Sequence, residues 1–73
     1  MPKLPVVSGR TFVKALSQLG WEFVRQRGSH MILVKEGSIV SLSVPDHREL
    51  AKGTLRSLLR NADVTLEEFL ELL

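Results

Sequence analysis

His30 is the side chain in this sequence best placed for acid–base chemistry. It follows a Gly28-Ser29 pair, and Arg25 and Arg27 lie just before it. A histidine exchanges protons near neutral pH, because imidazole ordinarily titrates near ~6.5. Beside cations, such a group suits metal-independent RNA cleavage. The imidazole helps the 2′-hydroxyl to attack the neighbouring phosphorus, and the cations stabilise the charge on the phosphorane.

Other catalytic chemistries lack the residues that they need. The chain has no cysteine, two histidines and scattered carboxylates, so neither a zinc site nor a two-metal phosphodiester site is predicted. Patterns for a Ser-His-Asp triad, a P-loop or a dinucleotide-binding loop are missing as well. We expect no metal and no cofactor. A structural role for His30, as a strand-edge residue bonded to a backbone carbonyl, stays open, and His47 is a secondary candidate for which a structural role is favoured more strongly.

The charge distribution points to a polyanionic partner. Residues 1–60 hold all ten Lys and Arg against four acidic residues, a net charge of +6, whereas residues 61–73 hold four acidic residues and no basic one, a net charge of −4. Clustered cations gain affinity for nucleic acids by releasing counterions from the phosphates. Arg48, Lys52, Arg56 and Arg60 recur at every fourth position, which suits either a phosphate-binding stripe or an ordinary solvated helix face.

The residues around His30 are expected to lie on a sheet. Residues 21–27 form a strand pattern with Trp21 and Phe23 on one face, and Arg25 and Arg27 continue that alternation. Gly28-Ser29 turns the chain into a β-rich run over residues 30–35, and Glu36-Gly37 makes a hairpin-type turn. A third strand is predicted over residues 38–44 and ends at Pro45, which cannot donate to a ladder.

Three helices complete the pattern. Ser8 caps the first, whose apolar face is followed by Gly20 as the terminator. Thr54 is predicted to cap the second, and Thr65 with Glu68 forms a capping box for a short third helix. The apolar stripes consist of Phe12, Val13, Leu16 and Leu19 in the first helix, Leu55, Leu58, Leu59 and Ala62 in the second, and Phe69, Leu72 and Leu73 in the third.

The element order predicts an α+β fold like that of double-stranded-RNA-binding domains. It is α-β-β-β-α with a three-stranded antiparallel sheet, helices on one face of the sheet and a short C-terminal helix. We expect a single domain over residues 1–73, with residues 1–7 as a loose arm. The longest apolar runs are far shorter than the ~20 residues of a membrane span, so a soluble, cytoplasmic protein without a membrane partner is expected.

Several short motifs, in their order and spacing, resemble the HicA toxins of HicAB toxin–antitoxin modules. They comprise Gly20-Trp21, the Gly28-Ser29-His30 string, Val44-Pro45-x-His47 and the run from Lys52 to Arg60, "KGTLRSLLR". The resemblance covers residues 9–70. It departs from the family at Met31, where many relatives carry a second histidine, and at the turn around Glu36-Gly37, which is shorter than is common in the family.

The resemblance implies an mRNA interferase, that is, a metal-independent endoribonuclease that cuts single-stranded mRNA. It makes His30 the catalytic residue and implies a HicB-type antitoxin that covers the active surface. A non-catalytic RNA-binding module that uses the same basic face is the alternative, and an interaction domain with incidental charge is a third reading. The predicted RNA contacts are Arg25, Arg27, Ser29, Lys52 and Arg56.

Overall fold

A computed structural model describes residues 3–73 and confirms the predicted fold class. Three strands form one antiparallel sheet in the order β1-β2-β3, and helices cover one of its faces. The elements in chain order are α1 (Gly9–Ser17), β1 (Trp21–Arg27), β2 (His30–Lys35), β3 (Leu42–Pro45), α2 (Lys52–Ala62) and α3 (Leu66–Leu72).

The first helix begins where the sequence predicts. The Ser8 hydroxyl accepts a hydrogen bond from the Thr11 backbone N–H at 3.0 Å, which satisfies a free donor at the helix start. Phe12 and Leu16 are fully buried, and Phe12 packs against Phe69 of α3 with ring centroids 5.4 Å apart. The apolar stripe therefore joins α1 to both the sheet and α3.

The core lies between one sheet face and the helices. The sheet contributes buried side chains that alternate along its strands, and the second helix adds the whole stripe predicted for it. The buried sheet residues are Trp21, Met31, Leu33, Leu42 and Val44, and those of α2 are Leu55, Leu58, Leu59 and Ala62. The opposite sheet face carries no helix, so its side chains stay open to solvent.

The first strand departs from the predicted alternation. A β-bulge at Val24 shifts the register, because Phe23 pairs with Leu33 while Arg25 pairs with Ile32. Paired residues on antiparallel strands share a face, so Phe23 stays on the helix side and Arg25 lies on the open side. The prediction that the arginines share the face of Trp21 was wrong, because alternation along one strand carries no sign of an inserted residue.

Two predicted element starts were also wrong. The third strand begins at Leu42 rather than at residue 38, and the side chain of Ile39 is fully exposed in the preceding loop. The second helix begins at Lys52 with Ala51 at its N-cap, and no side chain caps it, so Thr54 lies inside the helix. Leu50 is buried just before that cap, and anchoring Leu50 in the core places the helix start ahead of Thr54.

The third helix has the predicted capping box. The Glu68 backbone N–H donates to the Thr65 hydroxyl at 3.1 Å, and the Thr65 N–H donates to the Glu68 carboxylate at 3.0 Å. The hydrogen bond from the Thr65 backbone N–H to the Glu68 carboxylate is the larger cause of a lowered pKa of Glu68. The Thr65 side chain, through its own hydrogen bond to that carboxylate, lowers the pKa further. Phe69 is fully buried and Leu72 packs against the core, but Leu73 is exposed, so the predicted stripe ends one residue early.

The segment before α1 packs on the domain over its described part. Val7 is buried, Leu4 contacts the core, and the Leu50 N–H donates to the Val7 carbonyl at 2.8 Å. Residues 1 and 2 of the predicted arm lie outside the described residues. Over residues 3–73, the structure contains no helix of the length and apolarity needed to cross a membrane.

Candidate active site on the hairpin of strands β1 and β2

His30 is the first residue of β2 and lies on the open face of the sheet. It pairs with Arg27 on β1 and with Pro45 on β3, and its side chain is exposed. The imidazole Nδ1 is 3.5 Å from the Ser29 hydroxyl, at the outer limit of a hydrogen bond. Within residues 3–73 the ring makes no hydrogen bond to a backbone carbonyl. The carbonyl contact expected of a structural His30 is thus not found among the described residues.

The bulge at Val24 brings two cations to the same face as His30. Arg27 lies directly across from His30 in the ladder, and Arg25 pairs with Ile32, which is on the same face two residues further along β2. Both arginine side chains are exposed. The structure thus groups Arg25, Arg27, Ser29 and His30 on one open surface, which we call the His30 surface.

A tight turn holds the His30 surface against the loop that follows β3. Gly28 has a φ of 60°, a left-handed conformation that favours glycine, and allows the turn between β1 and β2. The Asp46 backbone N–H donates to the Ser29 carbonyl at 2.7 Å. The loop after β3 is therefore fixed next to the residue that precedes His30.

The Asp46 side chain ties three elements together at this end of the sheet. Its carboxylate accepts hydrogen bonds from the Arg10 Nε at 3.1 Å and from the Gln26 Nε2 at 3.2 Å. The bond from Arg10 and then that from Gln26 lower the pKa of Asp46, and the bond with Asp46 raises the pKa of Arg10. Sequence reasoning missed Arg10 and Gln26 because each is far from Asp46 in the chain and no local pattern joins them.

His47 lies beside this ion pair. Its backbone carbonyl accepts a hydrogen bond from the Gly9 N–H at 2.9 Å, while its side chain is exposed. With Ser8, Arg10 and Arg48 it lines a shallow cavity of about 290 Å³. The structure therefore places both histidines at the same end of the sheet, with Ser29 and Asp46 between them.

Lys52 and Arg56, two of the predicted RNA contacts, lie elsewhere. They line a cavity with Lys3 and Arg60, and no residue of the hairpin contributes to its walls. The predicted RNA contacts thus divide into two surfaces. The structure joins Arg25, Arg27 and Ser29 to His30 and gives Lys52 and Arg56 different neighbours.

Met31 follows His30 at the position where the sequence departs from the resemblance noted above. Its side chain is buried, and it pairs with Gln26 and Val44 on the helix-covered face. Successive strand residues point to opposite faces, so position 31 cannot share the open surface with His30. The other histidine of the chain, His47, lies in the loop that follows β3.

Apart from Arg10, the cations have no ionic partner in the part of the chain that the structure describes. All ten Lys and Arg side chains are exposed, and Arg10–Asp46 is the only ion pair within residues 3–73. In the same part of the chain no three His, Asp or Glu side chains group closely enough to hold a metal ion. The arrangement can supply a histidine and unpaired guanidinium groups to a phosphodiester.

One comparison with known proteins identifies a family. Residues 9–64 match the family model described as "HicA toxin of bacterial toxin-antitoxin". No curated protein matches the sequence. The matched range contains the whole His30 surface and both helices that pack against the sheet.

Proposed function

The chain belongs to the HicA family, the toxins of toxin–antitoxin systems, and from that premise we propose that it is a metal-independent endoribonuclease acting on mRNA. The observation that carries the proposal is the position of His30. The side chain is exposed on an open sheet face, directly across the ladder from the unpaired Arg27, with Arg25 on the same face.

The proposed reaction is a transesterification within the RNA strand. His30 accepts the proton of a 2′-hydroxyl, and the freed oxygen attacks the adjacent phosphorus. The bond from phosphorus to the 5′-oxygen then breaks, and that oxygen takes up a proton. The products are a 2′,3′-cyclic phosphate and a 5′-hydroxyl end. Proton transfer of this kind contributes about 10²- to 10⁴-fold to the rate.

The neighbouring residues are assigned supporting roles. Arg25 and Arg27 bind the phosphate and stabilise the negative charge of the phosphorane, and Ser29 contacts the RNA beside His30. His47, in the adjacent loop, is a secondary candidate for protonating the leaving 5′-oxygen, a proton that water can also supply. That Lys52 and Arg56 bind RNA stays a prediction from the sequence.

Incubation with single-stranded RNA in the presence of EDTA tests the proposal. We expect cleavage, with 2′,3′-cyclic phosphate ends detected by mass spectrometry, because no step needs a metal ion. Salt-sensitive RNA binding without cleavage would instead support the non-catalytic RNA-binding module. Neither binding nor cleavage would reject both functions and leave an interaction domain.

The second part of the proposal is the regulator. A toxin of this class works with an antitoxin. We assign that role to a HicB-type protein that covers the His30 surface of this chain. Complementary charge would make the association fast and sensitive to salt. The test is the product of the adjacent reading frame, which is expected to co-purify with this chain and to suppress its RNase activity. An adjacent product that binds without suppressing cleavage would contradict the assignment.

A further inference from the structure

A basic groove separates the N-terminal segment from helices α2 and α3. This cavity, of about 810 Å³, is lined by four cationic side chains, Lys3, Lys52, Arg56 and Arg60. Its described lining contains no acidic side chain, and none of the four cations forms an ion pair within residues 3–73. The groove is therefore electropositive, and it is separate from the His30 surface.

The floor of the basic groove is aliphatic. Leu59 and Val64 are buried beneath it, and Val6 stands at its edge with 71% of its surface exposed. No aromatic side chain is among the residues that line it. Surfaces that bind single-stranded RNA usually stack the bases on aromatic rings. Aliphatic floors instead suit the branched side chains of a protein segment, which gain affinity by leaving water.

We propose that the basic groove binds an acidic segment of a partner protein, one that presents carboxylates to the four cations and aliphatic side chains to the floor. Arg56 and Arg60 can each hold a carboxylate through two parallel hydrogen bonds. An aliphatic side chain of the partner covers Val6. RNA offers the phosphates for the cations but no aliphatic group for Val6, so the groove fits the peptide better.

The inference deepens the proposed function, on which it rests, because it gives the antitoxin a docking surface of its own. A partner anchored at the basic groove holds the toxin without occupying the His30 surface. The same protein can then cover His30 with a second region, and two linked contacts bind more tightly than either one alone. Loss of the groove is thus expected to weaken the complex without changing the chemistry at His30.

Direct binding measurements on the full chain test the inference. The probes are a short labelled peptide with Glu and Leu at helical spacing, the same peptide with Gln for Glu, and a single-stranded RNA. The protein carries His30→Ala so that the RNA stays intact during fluorescence anisotropy. We expect the Glu peptide to bind and the Gln peptide to bind at least ~10-fold more weakly, because neutral amides do not replace the charged pairs.

Two variants locate the binding surface. Lys3→Glu combined with Arg60→Glu reverses charge in the groove, and Lys14→Glu combined with Lys35→Glu makes the same change of net charge elsewhere. The groove variant is expected to bind the Glu peptide ~10-fold more weakly than its matched control. Val6→Ser is expected to lower peptide affinity by ~5-fold and to leave RNA affinity unchanged, because its side chain is exposed and uncharged.

Two results would overturn the inference. In the first, the groove variant and its control bind the Glu peptide equally well. In the second, the groove variant loses RNA affinity while Val6→Ser leaves peptide binding unchanged, which would make the groove an RNA surface. RNA cleavage by the unmodified chain is scored separately. Peptide binding at the groove without any cleavage would reject the ribonuclease and leave the groove assignment standing.

Discussion

The two histidines of this protein lie at one end of the same sheet in different electrostatic surroundings. His30 lies in a regular strand across from Arg27, a cation that has no ionic partner among the described residues. His47 lies in a loop beside Arg10 and Arg48, and the Asp46 carboxylate that binds Arg10 places a negative charge next to it. The side chains are of one type and both are exposed, so burial does not distinguish them. Their neighbouring charges do.

This difference shows what a histidine needs in order to act on RNA. Attack on a phosphodiester builds negative charge at phosphorus, and unpaired cations stabilise it better than a cation whose charge is already neutralised. The surroundings of His30 therefore favour catalysis. The Asp46 carboxylate beside His47 repels such charge, so we propose no more than a secondary role for His47.

The largest expected effect is on cleavage after loss of His30. His30→Ala is expected to lower the rate of RNA cleavage by at least ~100-fold, because proton transfer from the 2′-hydroxyl is lost. The melting temperature should stay close to that of the unmodified chain, since the side chain is exposed and has only the distant Ser29 hydroxyl as a partner. Cleavage of a labelled RNA and a thermal melt measure the two quantities.

His47→Ala is the matched control for this experiment. It removes an exposed histidine at the same end of the sheet and is expected to reduce cleavage much less than His30→Ala. Equal loss in both variants would make the histidines a joint acid–base pair and end the distinction between them. Unchanged cleavage in His30→Ala would reject the catalytic assignment.

The next largest effect is on stability, at the contact that fixes the His47 loop. Gly9 is buried, and an added Cβ would overlap the Pro45 carbonyl oxygen and lie 3.1 Å from the Met31 side chain. Gly9→Ala is expected to lower the free energy of unfolding by about 3 kcal/mol, because α1 must move away from β3. Urea unfolding measures the change.

Gly53 provides the comparison for Gly9. It lies in α2, and a Cβ added there meets no atom within 4 Å. Gly53→Ala is therefore expected to be neutral or to stabilise by up to about 1 kcal/mol, through the higher helix propensity of alanine. If Gly9→Ala were as mild as Gly53→Ala, the close approach of α1 to the loop would not be what holds His47.

The sequence predicted the elements of this end of the molecule better than their mutual arrangement. Ser8 as a cap, the turn at Gly28-Ser29 and the strand that starts at His30 are local signals, since each depends on residues a few positions apart. The bulge at Val24 is set by how β1 fits β2 and α1, so no local pattern announces it. His30 could be singled out, but the face on which its cations lie could not.

The separation of the predicted RNA contacts into two surfaces was not predicted from the sequence for the same reason. Lys52, Arg56 and Arg60 recur at helical spacing, which predicts a shared helix face, and they do line one cavity. Spacing along a helix says nothing about what that face meets. Because α2 and the hairpin are far apart in the sequence, helical spacing did not predict where these cations lie relative to His30. In the structure they line a cavity with the N-terminal segment instead.

A smaller effect is expected from removing one cation of the His30 surface. Arg27→Gln should lower kcat/KM for RNA cleavage by about 10-fold, since one of the two arginines still stabilises the phosphorane. It should also reduce the slope of log affinity against log salt concentration by about 0.7, the value for one phosphate contact on a single strand. Binding titrations at several salt concentrations measure this slope.

Lys14 serves as the reference cation for this measurement. It is exposed on α1 and forms no ion pair with any residue of the described range 3–73. Lys14→Gln removes the same charge and is expected to leave kcat/KM and the salt slope nearly unchanged. Equal slopes in the two variants would show that Arg27 acts only through the net charge of the protein, and the contrast between the surroundings of the two histidines would lose its basis.

The smallest expected effect concerns the ion pair beside His47. Asp46→Asn removes the carboxylate that accepts hydrogen bonds from Arg10 and Gln26. Because these bonds lower the pKa of Asp46 in the folded protein, they stabilise the fold above the ordinary aspartate range near ~3.9. That contribution is lost as the pH falls through the lowered value.

The unmodified chain should therefore melt slightly above Asp46→Asn at neutral pH, and the two melting temperatures should converge as the solution is acidified. The difference should be small and should shrink in high salt, because the pair is exposed. Glu49→Gln is the control, since Glu49 is an exposed carboxylate in a loop and forms no ion pair within residues 3–73. A difference in melting temperature between the unmodified chain and Asp46→Asn that persists in acid would mean that the charge of Asp46 is not what stabilises the loop that carries His47.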